Sequence, residues 1–244
     1  MLVSAWKSSE EIEHSLEGKQ NIAVFSCNVC ANLNGTGGAR GLRRMTALLR
    51  QWKKRVVVAK TVNVCCSEEI LRQYINIYIR PRREVCDALV MLSCAGGVKC
   101  AFLCDPGVPV IAATDSLGSG VISTSRPFYD VGICSSCDHC VLTWTAGICP
   151  VSGCPAKKKY GPCKKAPEQA GPCVVDTSRP CVWREIEKVA DMAALARLAD
   201  IHGQKDYTRL PSAAAKPTPP WLRRCSGRFM ARIPGLSRLV DMVR

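Results

Sequence analysis

The sequence predicts an α/β chain: a small parallel sheet at the amino end, then a Cys-rich, loop-dominated metal-binding module, then carboxy-terminal helices. Three observations predict it. Short apolar runs alternate with segments of helical spacing as far as Thr114. Seventeen cysteines crowd a chain of 244 residues, and eight of them fall between positions 134 and 181. The stretch that carries those eight is rich in Gly and Pro and poor in apolar side chains, so burial alone is not expected to hold it.

The elements follow in order. NIAVFS (21–26) is a short apolar strand that runs into Cys27. ARGLRRMTALLRQWKKR has helical spacing, with Leu42, Met45, Leu48, Leu49 and Trp52 on one side. RVVVAKTVNV (55–64) is β-branched and ends at Cys65-Cys66. SEEILRQYINIYIR is the next helix, with Ser67 as N-cap ahead of two acids. DALVMLS (87–93) ends at Cys94, and VPVIAAT (108–114) is a fourth strand. Strand–helix–strand repetition implies a parallel sheet with right-handed crossovers, flavodoxin- or Rossmann-like, in a domain of residues 1–130. Residues 131–202 form the cysteine module and close on one helix, VWREIEKVADMAALARLAD, whose apolar face is Val182, Ile186, Val189, Ala193 and Ala196. Residues 203–244 hold a Pro-rich linker, KPTPP, and a basic amphipathic tail interrupted near Pro234.

Composition narrows the function. The amino end carries acids where an export signal needs an apolar stretch, and no apolar run reaches the length of a membrane span. An odd number of cysteines leaves at least one unpaired. A cytoplasmic chain with metal-binding or redox-active thiols is the expectation, not a disulfide scaffold. The net charge of +14 is clustered in KKKYGPCKK (157–165) and in the tail, and aromatics are only 6%. No aromatic-interleaved stacking surface accompanies the charge, so nucleic acid is disfavoured. The tail, with Trp221, Leu222, Phe229, Ile233 and Leu236, suits docking to a partner or peripheral contact with an anionic membrane.

The thiols fall in two groups. Cys27 and Cys30 follow the first strand, Cys65-Cys66 the second and Cys94 the third. In a parallel sheet all carboxyl ends share one edge, so these thiols converge. CNVCANLNGTGG adds Gly35, Gly37 and Gly38, a loop whose N–H groups can face an anion or cluster sulfides. A metal or iron–sulfur site fits better there than a thioredoxin-like dithiol, because a Gly-rich loop intervenes after CNVC and further strand-end cysteines join. Cys86, Cys100 and Cys104 read as small buried hydrophobes. The second group is Cys134, Cys137, Cys140, Cys149, Cys154, Cys163, Cys173 and Cys181, enough for two sets of four. C-x-x-C-x-x-C resembles the iron–sulfur run of bacterial ferredoxins, whereas only half of a paired zinc-knuckle pattern is present. His139 reads as a spacer, and the division of the eight into sets stays open.

CSSCDHCVLTWTAGICPVSGC, GPCKK and the Cys173 and Cys181 that follow resemble the C-terminal domain family of methylenetetrahydrofolate reductases. That pattern is C-x2-C-x2-C-V-L, G-G-I-C-P-V-x-x-C, G-P-C-G-G, G-x-C and C-x-W, and every cysteine of it is present. CNVCANLNGTGG is similar to the amino-terminal half of the small subunit of two-subunit bacterial enzymes of this type. The resemblance covers roughly residues 10 to 200. It selects Cys66 over Cys65, because Cys66 directly precedes SEE. It implies iron–sulfur clusters, [4Fe-4S] in type, with zinc also associated with the family. It further implies a non-catalytic redox subunit that passes electrons to the flavin of a separate methylenetetrahydrofolate reductase catalytic subunit. Ferredoxin or further redox subunits would supply them. The sequence departs from the pattern at GPCKK, where Lys164 and Lys165 replace glycines and would favour a more negative, reduced centre, and at TAGIC. The alternatives are a zinc-binding structural adaptor without redox role and a thiol-disulfide oxidoreductase. The chain is too short for an eight-stranded barrel beside the cysteine module, so no residue of it is assigned a catalytic role.

Overall fold

Strand β2 (Asn21–Cys27) is buried along nearly its whole length, as expected for the centre of a sheet covered on both faces. In the computed structural model, which describes residues 4–117, 134, 137–164, 166 and 171–203, it pairs in parallel with β3 (Arg55–Val62) and β4 (Ala88–Leu92). Strand β5 (Val110–Ala112) pairs in parallel with β4, giving the order β3-β2-β4-β5. A second, antiparallel pair joins β1 (Ser4–Trp6) to β6 (Thr114–Ser116). The chain is thus mixed α/β with a parallel core and carboxy-terminal helices.

Period-two alternation sorts the core into two layers. Ala23, Phe25 and Cys27 of β2, with Leu89 and Met91 of β4, face α4 (Glu68–Tyr74) and α5 (Ala95–Cys104). Ile22 and Val24, with Ala88, Val90 and Leu92, face α1 (Ser9–Ser15) and α3 (Gly38–Gln51) through Ile12, Leu16, Met45 and Leu49. Cys86, Cys100 and Cys104 are buried. Between β2 and α3, Cys30–Leu33 form the short helix α2.

Several sequence expectations change. The fourth strand, drawn over 108–114, breaks at Ala113, so that β5 serves the parallel sheet and β6 turns to β1. The helix after Ser67 is α-helical only to Tyr74, then π-helical over Ile75–Ile79 and 3-10 over Arg80–Arg82, where Pro81 interrupts the ladder. Ser67 holds the N-cap position without a capping hydrogen bond from its side chain. The single carboxy-terminal helix is two: α7 (Val182–Glu187) and α8 (Met192–His202). Asp191 caps α8 by accepting from Ala194 N at 2.9 Å, which restarts the helix on a new axis. Leu195 and Leu198 are therefore buried, Ala193 and Ala196 are exposed, and Val189 is 54% exposed.

The carboxy-terminal stretch also has an apolar core of its own, contrary to the expectation from composition. Val141, Ile148, Val182, Trp183, Ile186, Leu195 and Leu198 pack together with Cys154 and Cys181. Its only described helix before α7 is the short α6 (Pro150–Gly153). The domain boundary near 130, Lys165, Cys225, the Pro-rich linker and the basic tail lie outside the described residues.

Candidate metal centre

The sheet order reverses between β2 and β4, and open parallel sheets bind ligands outside the carboxyl ends at such a point. Cys27 ends β2, and Cys94 is the N-cap of α5 just after β4. Cys27 and Cys65 are hydrogen-bonded to each other. That bond, with backbone N–H groups of Cys65, Val29 and Ala31, lowers the Cys27 thiol to about 6 against its burial. Desolvation, together with the charges of Cys27 and Cys30, pushes Cys94 up to about 12. Cys66 is exposed at the surface yet closely ringed by protein, and desolvation and the charges of Cys94, Cys27 and Cys30 raise it. Cys27, Cys30, Cys66 and Cys94 thus lie within electrostatic reach of one another. Cys65, passed over in the sequence, is fully buried and bonded to Cys27. The loop glycines have a local explanation. A Cβ on Gly37 would stand 2.5 Å from the Cys27 carbonyl oxygen, and one on Gly38 would strike the Asn32 side chain. Gly35 and Gly38 have positive φ.

A second gathering lies where the carboxy-terminal segment meets the sheet. Cys134, Cys137, Cys140 and Cys149 line one cavity with Lys99, Val141, Leu142 and Val151. Desolvation pushes Cys137 up to about 11, opposed by Lys159, whose ammonium reaches its thiol. Desolvation likewise raises Cys140, and Lys7 opposes it. Cys149 accepts from Ser152 N at 3.4 Å and lies next to the Ser152 hydroxyl at 3.2 Å. The other four cysteines stand apart from this cavity. Cys154 and Cys181 sit in the carboxy-terminal core. Cys173 and Cys181 are set by paired backbone bonds, Cys173 N to Arg179 O at 2.8 Å and Cys181 N to Gly171 O at 3.0 Å. Cys163 is half-buried, and Lys164 beside it is exposed.

Between the two parts runs a buried polar seam that the sequence did not announce. The Lys7 ammonium donates to Glu11, to Asp115 at 2.7 Å and to the Cys140 carbonyl at 2.8 Å. Asp115 also accepts from Cys140 N. Burial would lower Lys7, but Asp115 and Glu11 outweigh it and raise the group. Burial would raise Glu11, but His202 and Lys7 outweigh it and hold the carboxyl low. His202 Nε2 lies 2.7 Å from Glu11, and the Tyr160 hydroxyl lies 2.8 Å from Nδ1. A carboxylate only accepts, so without metal Nε2 carries a proton, which an ion bound at that nitrogen would displace. His139 stacks on His202 with centroids 4.5 Å apart.

Among the described residues, three ligand atoms come within 4.8 Å of one another in two places: Glu11, His139 and His202, and Asp115, Asp138 and His139. Neither group contains a thiol. Nitrogen and oxygen donors in threes suit a single borderline ion such as zinc. His139, read in the sequence as a spacer, thus stands in both groups of candidate ligands. Spacing gave no signal for Glu11, His139 and His202, which stand at least 63 residues apart in the sequence.

A family model described as Methylene-tetrahydrofolate reductase C terminal matches residues 111–208. No curated protein and no solved structure matches the chain. The matched segment takes in all eight cysteines of the second group together with His139, Lys159 and His202, and it leaves out the strand-end thiols. Among the described residues no helix is long and apolar enough to cross a membrane.

Proposed function

We propose that the chain is a metal-binding accessory subunit for a partner of the methylenetetrahydrofolate reductase type, in which the metal holds the carboxy-terminal segment against the α/β domain. One observation carries this reading. Within the family-matched segment, donor side chains meet donors or cations of the α/β domain at one seam: His139 and His202 with Glu11, and Cys140 with Lys7. A structural ion, zinc in class, needs no redox partner and fits the close His–carboxylate group. The chain would then act as an adaptor, with chemistry on folate and the flavin belonging to the catalytic subunit.

A second reading is iron–sulfur electron transfer to that flavin, with ferredoxin or further redox subunits upstream. The C-x-x-C-x-x-C run of Cys134, Cys137 and Cys140 supports it. A tetrahedral zinc site with Zn–S near 2.3 Å brings its sulfurs to about 3.8 Å from each other. No three thiols among the described residues lie within 4.8 Å, and four of them line a cavity instead of closing on a point. A cluster holds its thiolates further apart than a single ion does. Thiol–disulfide chemistry remains a third reading, for which the lowered Cys27 beside Cys65 is the supporting feature.

Anaerobic purification, a visible spectrum, electron paramagnetic resonance after dithionite and an iron and zinc count separate these. Stoichiometric zinc with no colour supports the adaptor. Brown protein with a reduced-state signal replaces it with electron transfer. Metal-free, folded protein removes both.

A further inference from the structure

We infer that Lys159 and Tyr160, consecutive in one loop, are the positioning residues of the Glu11, His139 and His202 metal site. Tyr160 partners the His202 ring with and without an ion on its Nε2, and Lys159 holds the backbone that carries His139. This rests on the metal-binding reading above and extends it to two residues with no part in the ligand set.

Neither histidine stands on backbone that fixes it unaided. His202 is the last residue of α8, where the helical ladder runs out. Asp138 and His139 have φ of 58° and 49°, the left-handed region that residues other than glycine rarely adopt. Such residues cost free energy and persist where their surroundings hold them. Lys159 supplies one hold: its ammonium donates to the Asp138 carbonyl at 2.7 Å and reaches the Cys137 thiol. Of the three consecutive lysines Lys157, Lys158 and Lys159 it alone is buried, at 3% exposure. Tyr160 supplies the other hold, with its hydroxyl 2.8 Å from His202 Nδ1. The loop itself is tied to the carboxy-terminal core. Lys157 N donates to the Cys154 carbonyl at 2.9 Å, and Trp183 Nε1 donates to the Lys158 carbonyl at 3.2 Å.

A phenol both donates and accepts, so the Tyr160 contact serves both states of the site. Without metal, the His202 Nε2 proton faces Glu11 at 2.7 Å, and the phenol donates to the bare Nδ1. An ion between Glu11 and His202 takes the Nε2 lone pair. The neutral imidazole then carries its proton on Nδ1, and the phenol oxygen accepts it. One proton leaves Nε2 and one arrives at Nδ1, so the ring keeps its charge. An imidazole that binds an ion through one nitrogen and donates from the other is held in orientation and made a better ligand. His202 is 8% exposed, so without the phenol its Nδ1 proton would be buried and unpaired in the bound state. Tyr160 therefore contributes to affinity without touching the ion.

The test uses the full-length chain, stripped of metal without oxygen and titrated with Zn2+ against a competing chelator. The chain has three histidines, so nitrogen NMR of histidine-labelled protein follows each ring and reads this site apart from the thiols. In wild type, Zn2+ is expected to shift the His139 and His202 rings, to leave His14 in place, and to move the His202 proton from Nε2 to Nδ1. Tyr160→Phe keeps the aromatic ring and removes the hydroxyl. It is expected to weaken Zn2+ uptake at the two rings by roughly 10–100-fold. Lys159→Met is expected to weaken it too, and Lys159→Arg, which keeps a donor, to recover part of the loss. A merely structural role would lower the metal-free melting temperature and leave the affinity unchanged. Wild-type affinity in Tyr160→Phe overturns the role of Tyr160, and in Lys159→Met that of Lys159; either result leaves the metal reading standing. Zn2+ taken at His202 Nδ1, with the proton kept on Nε2, also overturns the role of Tyr160. No response of His139 and His202 in wild type removes the metal site and the inference with it.

Discussion

Lys7 joins the two parts of the chain through one ammonium: Glu11 and Asp115 on the α/β side and the Cys140 carbonyl on the other. Substituting Lys7→Met leaves two carboxylates buried without their cation, and a loss of about 3–5 kcal/mol of stability is expected by denaturant unfolding. His202→Ala removes one charge-assisted partner of Glu11 and is expected to cost roughly 1.5–3 kcal/mol in the same assay. Cys27 gives a pH signature. Its folded value, about 6, lies below the ordinary thiol value of 9.0. The thiolate therefore adds stability that is complete above about pH 9 and lost as pH falls through about 6. In the metal-free chain the gap in melting temperature between wild type and Cys27→Ala should narrow from pH 9 to pH 6. A gap that widens over that interval contradicts the assignment of the lowered thiol. Of the seam residues only Cys140 was singled out by the sequence. A buried Lys, Glu or His has no local pattern of its own, and only the fold reveals which ones meet.

At the scale of elements, the parallel strands were legible as short apolar runs and the first helices by their helical period. The continuous burial of β2 and β4 and the Met45 and Leu49 face of α3 are examples. Strand-end placement of Cys27 and Cys94 followed from that alone. What failed were breaks set by single residues. Asp191 turns one expected helix into two, and Ala113 divides one expected strand between two sheets. A three-residue strand such as β1 has too few positions to show a period. Asp191→Ala is expected to cost about 1 kcal/mol through loss of the α8 cap. Gly37→Ala is expected to cost about 1–3 kcal/mol, because its Cβ would press on the carbonyl of Cys27. That substitution should also disturb the strand-end thiols, read as a changed titration of Cys27.

For the whole molecule, composition misjudged the carboxy-terminal segment. Its cysteines and prolines drew attention from Trp183, Ile186, Leu195 and Leu198, which are spread over two helices yet close into one core around Val141 and Ile148. The segment therefore has two supports, apolar burial and the polar, thiol-rich seam with the α/β domain. Metal removal should loosen the seam first. Hydrogen exchange is expected to rise around Cys137–Cys140 and α1 while the amides of β2 and β4 stay protected. The central claim is that metal binds at this seam and holds the two parts together. The most direct measurement is metal content per chain after anaerobic purification, paired with melting temperature before and after chelation. Stoichiometric metal, diminished in Cys137→Ser or in His139→Ala, with a melting temperature that falls on chelation, is the predicted result. A folded chain that carries no metal, and whose melting temperature chelation leaves unchanged, would contradict it.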